Sequence, residues 1–231
     1  LEDAKKDKNR IYAVIKGVGT SSYEKTSAIY ASDSKGQIKA LKDAYDRAKI
    51  DPSTVDLIEA HGTGNKVDDK VEFDALKECY NSKNQKNHCA IGSVKSMIGH
   101  TKAAAGAAGI IKTALSLYNK VLPPTLKAEN PDPELDINNS AFYLNTDTKP
   151  WPMKSSDPHP RRSGINTFGF GGSNFHVVLE EYDTKKAHVS WDGSIQIAAF
   201  SDNTSDGIIG QIKNFQQQIT VDTDLDASEK S

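Results

Sequence analysis

Short apolar runs alternate with longer stretches of helical periodicity along most of this chain. The run "IYAVIKGVGTSS", residues 11–22, predicts a strand running into a glycine-containing turn. Over residues 34–49, Ile38, Leu41, Tyr45 and Ala48 share one face, which predicts an amphipathic helix ended by "DPST". "VDLIEAHGTG" reads as a short buried strand breaking into glycines, and "DDKVEFDALKECYNSK" as a second amphipathic helix. "HCAIGSVKS" is strand-like and enters a turn. "TKAAAGAAGIIKTALSLYNK" predicts a long helix starting at about Thr101.

The four prolines of "VLPPTLKAENPDPELDINNS" predict an irregular, extended connection. "AFYLNTDTKPW" and "RRSGINTFGFGGSNFHVVLEEY" follow as strands, the second interrupted by a glycine turn. After Tyr182 the pattern changes: "SIQIAAFS" is strand-like, "SDGIIGQIKNFQQQI" is helical, and "TVDTDLDASEKS" is a polar tail expected to fray. Strands alternating with helices from residue 11 to 180 predict an α/β architecture.

Composition narrows the class. At 231 residues, 36% hydrophobic and 26% charged, the chain suits a soluble globular protein with a sizeable core. A formal charge of -2 gives no electrostatic case for nucleic acid or an anionic membrane. No apolar run approaches a membrane span, and the charged opening "LEDAKKDKNR" is unlike a signal peptide, so a cytoplasmic protein is expected. Cys79 and Cys89 stand ten residues apart without a cluster at metal spacing, so reduced thiols and no metal site are expected.

Three stretches carry candidate chemistry. In "EAHGTGNKVDD", His61 leaves a buried strand just before Gly62 and Gly64, where backbone can approach a ligand; a histidine merely satisfied within a turn fits the same pattern. In "HCAIGSVKSMIGHTKAAAGAAGIIK", Lys95 and His100 precede an Ala- and Gly-rich helix. The small residues would let that helix pack closely on the core and hold His100 at its N-terminal mouth, a favourable place for negative charge. A plain buried helix beside solvated Lys and His fits equally well. In "NTFGFGGSNFHVVLEE", Gly169, Gly171 and Gly172 make a tight turn whose N–H groups could face an anion, or a structural β-turn. The spacing matches neither GxGxxG nor a phosphate-loop motif, which argues against a nucleotide-binding domain.

The motifs "EAHGTG", "GSVKSMIGH", "AAAGAAG", "LPPTL" and "FGFGGSN" occur in the order found in one family. From about Leu1 to Tyr182 the chain resembles the C-terminal half of a β-ketoacyl synthase, nearest to the ketosynthase domains of modular polyketide and polyunsaturated fatty acid synthases. The resemblance implies the C-terminal half of a thiolase-type fold, layered helices around a mixed sheet. Residues 183–231 resemble the start of the linker that follows such domains. It implies decarboxylative condensation of an acyl thioester with malonyl-acyl carrier protein. By motif match His61 and His100 would be the catalytic histidines and Lys95 the ordering lysine. Thr63 matches a position that binds the pantetheine arm. Asn65 stands where threonine or serine is usual, and Asp68 where a glycine is usual. Phe170, flanked by Gly169 and Gly171, matches the gate residue that supplies an oxyanion-hole N–H.

No bound cofactor is implied, since substrates ride on the phosphopantetheine of acyl carrier protein. The nucleophilic cysteine belongs to the family's N-terminal half, in a turn at a helix start that this chain does not contain. Cys79 and Cys89 lack that setting and read as structural. Implied partners are therefore acyl carrier protein, the cysteine-bearing half, and a second copy joined through that half. The chain alone is expected to be inactive and to expose an apolar face and a sheet edge. The alternative is a non-catalytic thiolase-fold protein shaping a partner's acyl tunnel, a role that does not need His61, His100 and Lys95 together.

Overall fold

The structure, a computed structural model, describes residues 1–22, 34–80, 86–153, 159–169, 172–182 and 198–228. It divides into two compact units, Leu1–Ser190 and Trp191–Ser231.

The first unit is built on a six-stranded mixed sheet. In chain order its elements are α1 (Glu2–Lys6), β1 (Val14–Ser21), α2 (Ser34–Ala48), β2 (Leu57–Glu59), α3 (Lys66–Tyr80), β3 (Cys89–Gly92), α4 (Lys95–Ile98), α5 (Ala105–Asn119), β4 (Val121–Leu122), β5 (Phe142–Leu144), β6 (Lys149–Pro150), β7 (Arg162–Phe168) and β8 (Asn174–Glu180). The sheet order is β1-β8-β7-β2-β3-β5, with β4 and β6 forming a separate two-stranded ribbon. β1, β8 and β7 are antiparallel neighbours, whereas β7, β2, β3 and β5 run parallel. The parallel strands β2 and β3 are buried throughout, as strands covered on both faces must be.

Alternation along β7 separates two cores. Gly164 and Asn166 face His176, which packs on Tyr45 of α2. Ile165 and Thr167 face Gly109 and Gly106 of α5. The first core joins Leu41 and Tyr45 of α2, Phe73, Leu76 and Tyr80 of α3, and Val55, Ile58, Ile91 and Phe142. The second joins Leu57, Ala90, Leu117, Leu122, Trp151, Ile165 and Leu179. Burying each large side chain contributes roughly 1.5–3 kcal/mol.

The predicted helix over 34–49 is present, with Leu41, Tyr45 and Ala48 buried and Ile38 half-buried at its margin. Elsewhere the structure departs from the sequence reading. Gly17 and Gly19 lie inside β1 rather than in a turn after it. A Cβ at Gly19 would stand 1.9 Å from the Ala40 carbonyl oxygen, and one at Gly17 would stand 2.3 Å from that of Ala44. These glycines therefore let α2 lie directly on the strand. The proline-rich connection is not wholly irregular, because it includes β4 and single 3₁₀ turns at Pro133–Leu135 and Ile137–Asn139.

The long helix begins at Ala105, not Thr101. A helical turn, α4, starts at Lys95, Gly99 reverses the chain at φ 76°, and a 3₁₀ turn over Lys102–Ala104 leads into α5. His100 thus sits in the link between two short turns, away from the N-terminus of α5. Only part of the small-residue face is buried: Gly109 meets Glu59 and Ile165, while Ala103, Ala104 and Ala107 are exposed. Ile111 of α5 is 60% exposed, and Ile15 and Val18 of the edge strand β1 are also exposed. These apolar side chains have no cover among the described residues.

In the second unit, α6 (Ser205–Ser228) carries the predicted helix on through much of the tail expected to fray. Thr204 caps it, its hydroxyl accepting from the Gly207 N–H at 3.1 Å, and Asp202 accepts from the Thr204 N–H. Phe200 packs edge-on against Phe215 at 5.5 Å. Of the strand-like run "SIQIAAFS", residues 198–201 are described and carry no strand.

Candidate active site

Register explains why distant residues converge. β2, β3 and β7 run parallel, with Glu59 opposite both Gly92 and Ile165, so their carboxyl ends open at one edge of the sheet. His61 leaves β2 there, Lys95 follows β3, and Phe168 ends β7. Loops beyond the carboxyl ends of parallel strands are where such sheets hold their ligands.

The imidazoles of His61 and His100 meet edge to face, with centroids 5.4 Å apart. Phe168 closes on His61 at 5.6 Å. His61 is buried, and burial is the main reason its pKa falls to about 4, with the Lys95 ammonium and His100 adding to the effect. His100 is depressed too, by desolvation first, then by Lys95 and Lys102. Both rings are therefore neutral at pH 7. The Lys102 N–H donates to His100 Nδ1 at 3.0 Å, which fixes the ring proton on Nε2. That N–H is available to an oxygen acceptor. His61 Nδ1 is buried with no partner among the described residues.

Lys95 is half-buried, and desolvation lowers its pKa against the pull of Glu59, Glu72 and Asp69. The cation is therefore felt by three carboxylates and by both imidazoles. Sequence reasoning missed these carboxylates. Glu72 of α3 accepts the His61 N–H at 2.7 Å and the Gly62 N–H at 2.8 Å, pinning the turn in which Gly62 adopts φ 43°. Glu59 takes the Val94 N–H and pairs with Lys112 of α5. Their signal was present in the sequence: Glu72 lies beside Phe73 and Leu76 on the apolar face of its helix.

Asn65 is the N-cap of α3, its Oδ1 accepting from the Val67 and Asp68 N–H groups. Its acceptor is thereby committed to the helix, and its amide N–H₂ is what it can offer a ligand. Thr63 is exposed on the same loop, its hydroxyl accepting from the Asn65 N–H at 3.3 Å. Asp68 lies in the first turn of α3 and needs no positive φ, so the absent glycine costs nothing here. Gly169 donates its N–H to the Ser173 carbonyl at 2.8 Å, closing the turn after β7. Phe170 and Gly171 lie outside the described residues. A cavity of about 820 Å³ adjoins the loop, lined by Gly62, Gly64, Phe73, Leu76, Ser93 and Leu126 among others, but neither imidazole lines it.

Cys79 is half-buried in α3, its thiol pushed up to about 11 by burial, and Cys89 is fully buried. Neither is placed as a nucleophile. Among the described residues no group of side chains could hold a metal ion, and no helix is long and apolar enough to cross a membrane.

Comparison with known proteins agrees with this geometry. The family described as "Beta-ketoacyl synthase, C-terminal domain" matches residues 12–129, and "Ketoacyl-synthetase C-terminal extension" matches residues 131–230. A polyunsaturated fatty acid synthase of Thraustochytrium sp. is 46% identical over 191 residues, 80% of this chain and 7% of that protein. Polyketide synthase PksL of Bacillus subtilis is 42% identical over 187 residues, 80% of this chain and 4% of that protein. The solved ketosynthase from module 6 of the bacillaene synthase of Bacillus subtilis is 42% identical, with a TM-score of 0.75 over 79% of this chain and 32% of that one. The chain therefore spans about a third of that solved ketosynthase and under a tenth of those relatives. Its motifs, its sheet and these matches agree: the chain belongs to the β-ketoacyl synthase family, as the C-terminal half of a thiolase-fold ketosynthase domain of the modular polyketide and polyunsaturated fatty acid synthase type.

Proposed function

We propose that this chain supplies the His–His–Lys part of a decarboxylative condensation between an acyl thioester and malonyl-acyl carrier protein, the nucleophilic cysteine coming from a complementary half. The pairing of two neutral imidazoles at 5.4 Å, both under the influence of the Lys95 cation, carries this reading. When the malonyl carboxylate leaves as carbon dioxide, the electrons of the broken C–C bond move onto the thioester oxygen as an enolate. Neutral N–H donors, the His100 Nε2–H first among them, stabilise that charge without a proton being lost to bulk water. The enolate carbon then attacks the cysteine-bound acyl carbon, and the cysteine departs as thiolate.

Lys95 adds its repulsion to the burial that keeps both rings neutral, and it balances Glu59, Glu72 and Asp69. The exposed Thr63 hydroxyl and the Asn65 amide would guide the pantetheine arm, and Phe170, between Gly169 and Gly171, would gate the acyl group. Residues 183–231 act as the start of the linker that follows the domain. The exposed Ile15, Val18 and Ile111 are where the complementary half would pack, and through that half two copies would associate. The compartment proposed for this chemistry is the cytoplasm.

The test is malonyl-thioester decarboxylation by this chain mixed with a cysteine-bearing half. Decarboxylation only in the mixture, abolished by His61→Ala while cysteine acylation persists, supports the reading. Activity of the chain alone would overturn it, and so would loss of acylation together with condensation.

A further inference from the structure

Glu72, whose two oxygens hold the His61 and Gly62 N–H groups, is itself held by a side chain from the sheet. Asn166 of β7 donates Nδ2 to Glu72 Oε1 at 2.8 Å. Asn166 Oδ1 lies 2.6 Å from Nδ1 of His176, its register partner on β8. All three side chains are buried, with Asn166 2% and His176 0% exposed, and no ion pair reaches Glu72 among the described residues.

The chemistry fixes the direction of this chain of bonds. A carboxylate only accepts, so the Asn166 amide must turn its N–H₂ toward Glu72 and its carbonyl toward His176. A carbonyl only accepts, so His176 must carry its proton on Nδ1. Its Nε2 is then the bare nitrogen, which agrees with its burial without a hydrogen-bond partner among the described residues. Gly164 leaves the space: a Cβ there would stand 2.8 Å from the ring. Without the Nδ1–H, the Asn166 carbonyl loses its buried partner, and the amide is held by its single bond to Glu72 alone.

We propose that His176 is a positioning residue for His61, acting through Asn166 and Glu72 to fix the backbone that carries the reacting imidazole. This deepens the proposed function and rests on it for its catalytic consequence, but the positioning can be read separately.

Two substitutions divide donor from volume. His176→Phe keeps a ring and removes the donor; His176→Asn returns an N–H at the δ position and leaves the ring space empty. Positioning predicts that His176→Phe moves the His61 and Gly62 amide resonances of the ¹⁵N-labelled chain. It also lowers malonyl-thioester decarboxylation in the mixture by about 10²-fold, with KM little changed. His176→Asn restores both, even though its Tm is the lower of the two. A purely packing role would make His176→Asn at least as damaging as His176→Phe, and that result overturns the proposal, as do unmoved amides in His176→Phe. Should the variants not fold, the imidazole ¹⁵N spectrum of the unsubstituted chain still decides: a proton on Nε2 of His176 overturns the proposal, and one on Nδ1 supports it. If the amides respond but the unsubstituted mixture does not decarboxylate, the positioning stands and only the condensation reading fails.

Discussion

Glu59 Oε2 and Lys112 Nζ meet at 2.7 Å, with the two side chains only 3% and 12% exposed, and tie the end of β2 to α5. The other Glu59 oxygen takes the Val94 N–H just ahead of Lys95. One carboxylate therefore fixes the strand that delivers His61 and the turn that delivers Lys95.

Removing the cation should be costly. Burial already raises the Glu59 pKa, and Lys112 is the main force holding it down. In Lys112→Met the folded state would bind a proton that the unfolded chain releases near pH 4.5. Stability would then be greatest at acid pH and would fall as pH rises through the raised value. We expect a loss of about 3–5 kcal/mol at pH 7 and a smaller one at pH 5, measured by urea unfolding. An equal loss at both would mean that Glu59 does not titrate in this window.

The His61 ring gives the opposite slope. Above pH 6.5 it is neutral in both states. Between 6.5 and about 4 the unfolded ring takes up a proton that the folded ring refuses, so stability falls as pH drops. The window corresponds to about 3 kcal/mol. His61→Gln should flatten the stability profile between pH 6.5 and 4 by about that amount, and imidazole NMR of the unsubstituted chain should show His61 neutral at pH 5.5.

Gly19→Ala should separate α2 from β1, because its methyl would stand 1.9 Å from the Ala40 oxygen, which is backbone and cannot swing aside. A loss of at least 1–3 kcal/mol is expected from the thermal midpoint. Gly210→Ala, on α6 with nothing within 4 Å, should instead strengthen its helix by about 0.5–1 kcal/mol, read as helical content.

Cysteine alkylation separates structural thiols from a nucleophile. With its thiol pushed up to about 11, Cys79 should react with iodoacetamide at pH 7.5 about 10²-fold more slowly than a free thiol. Cys89 should react only after unfolding. Rapid modification of either in the folded chain would reopen the question of where the nucleophile lies.

The sequence by itself determined the element types, because periodicity reports which face is buried: the helix over 34–49 and the strands around "GINTF" and "HVVLE" stand where the pattern puts them. It also offered His61, Lys95 and His100 as candidates, since short motifs are visible one segment at a time, and the order of those motifs along the chain carried the family resemblance that gave each a role. Tertiary structure decided what depends on two segments at once. Gly17 and Gly19 read as a turn because only the approach of α2 shows what their missing side chains make room for. Parallel pairing of β2 with β3 and β7 brought His61, Lys95 and Phe168 to one edge. Packing of α3 beneath that edge turned Glu72 from one acid of a helical repeat into the anchor of the His61 turn. Periodicity reports burial along a single element, whereas a hydrogen bond between residues 94 positions apart exists only once the sheet has set their distance.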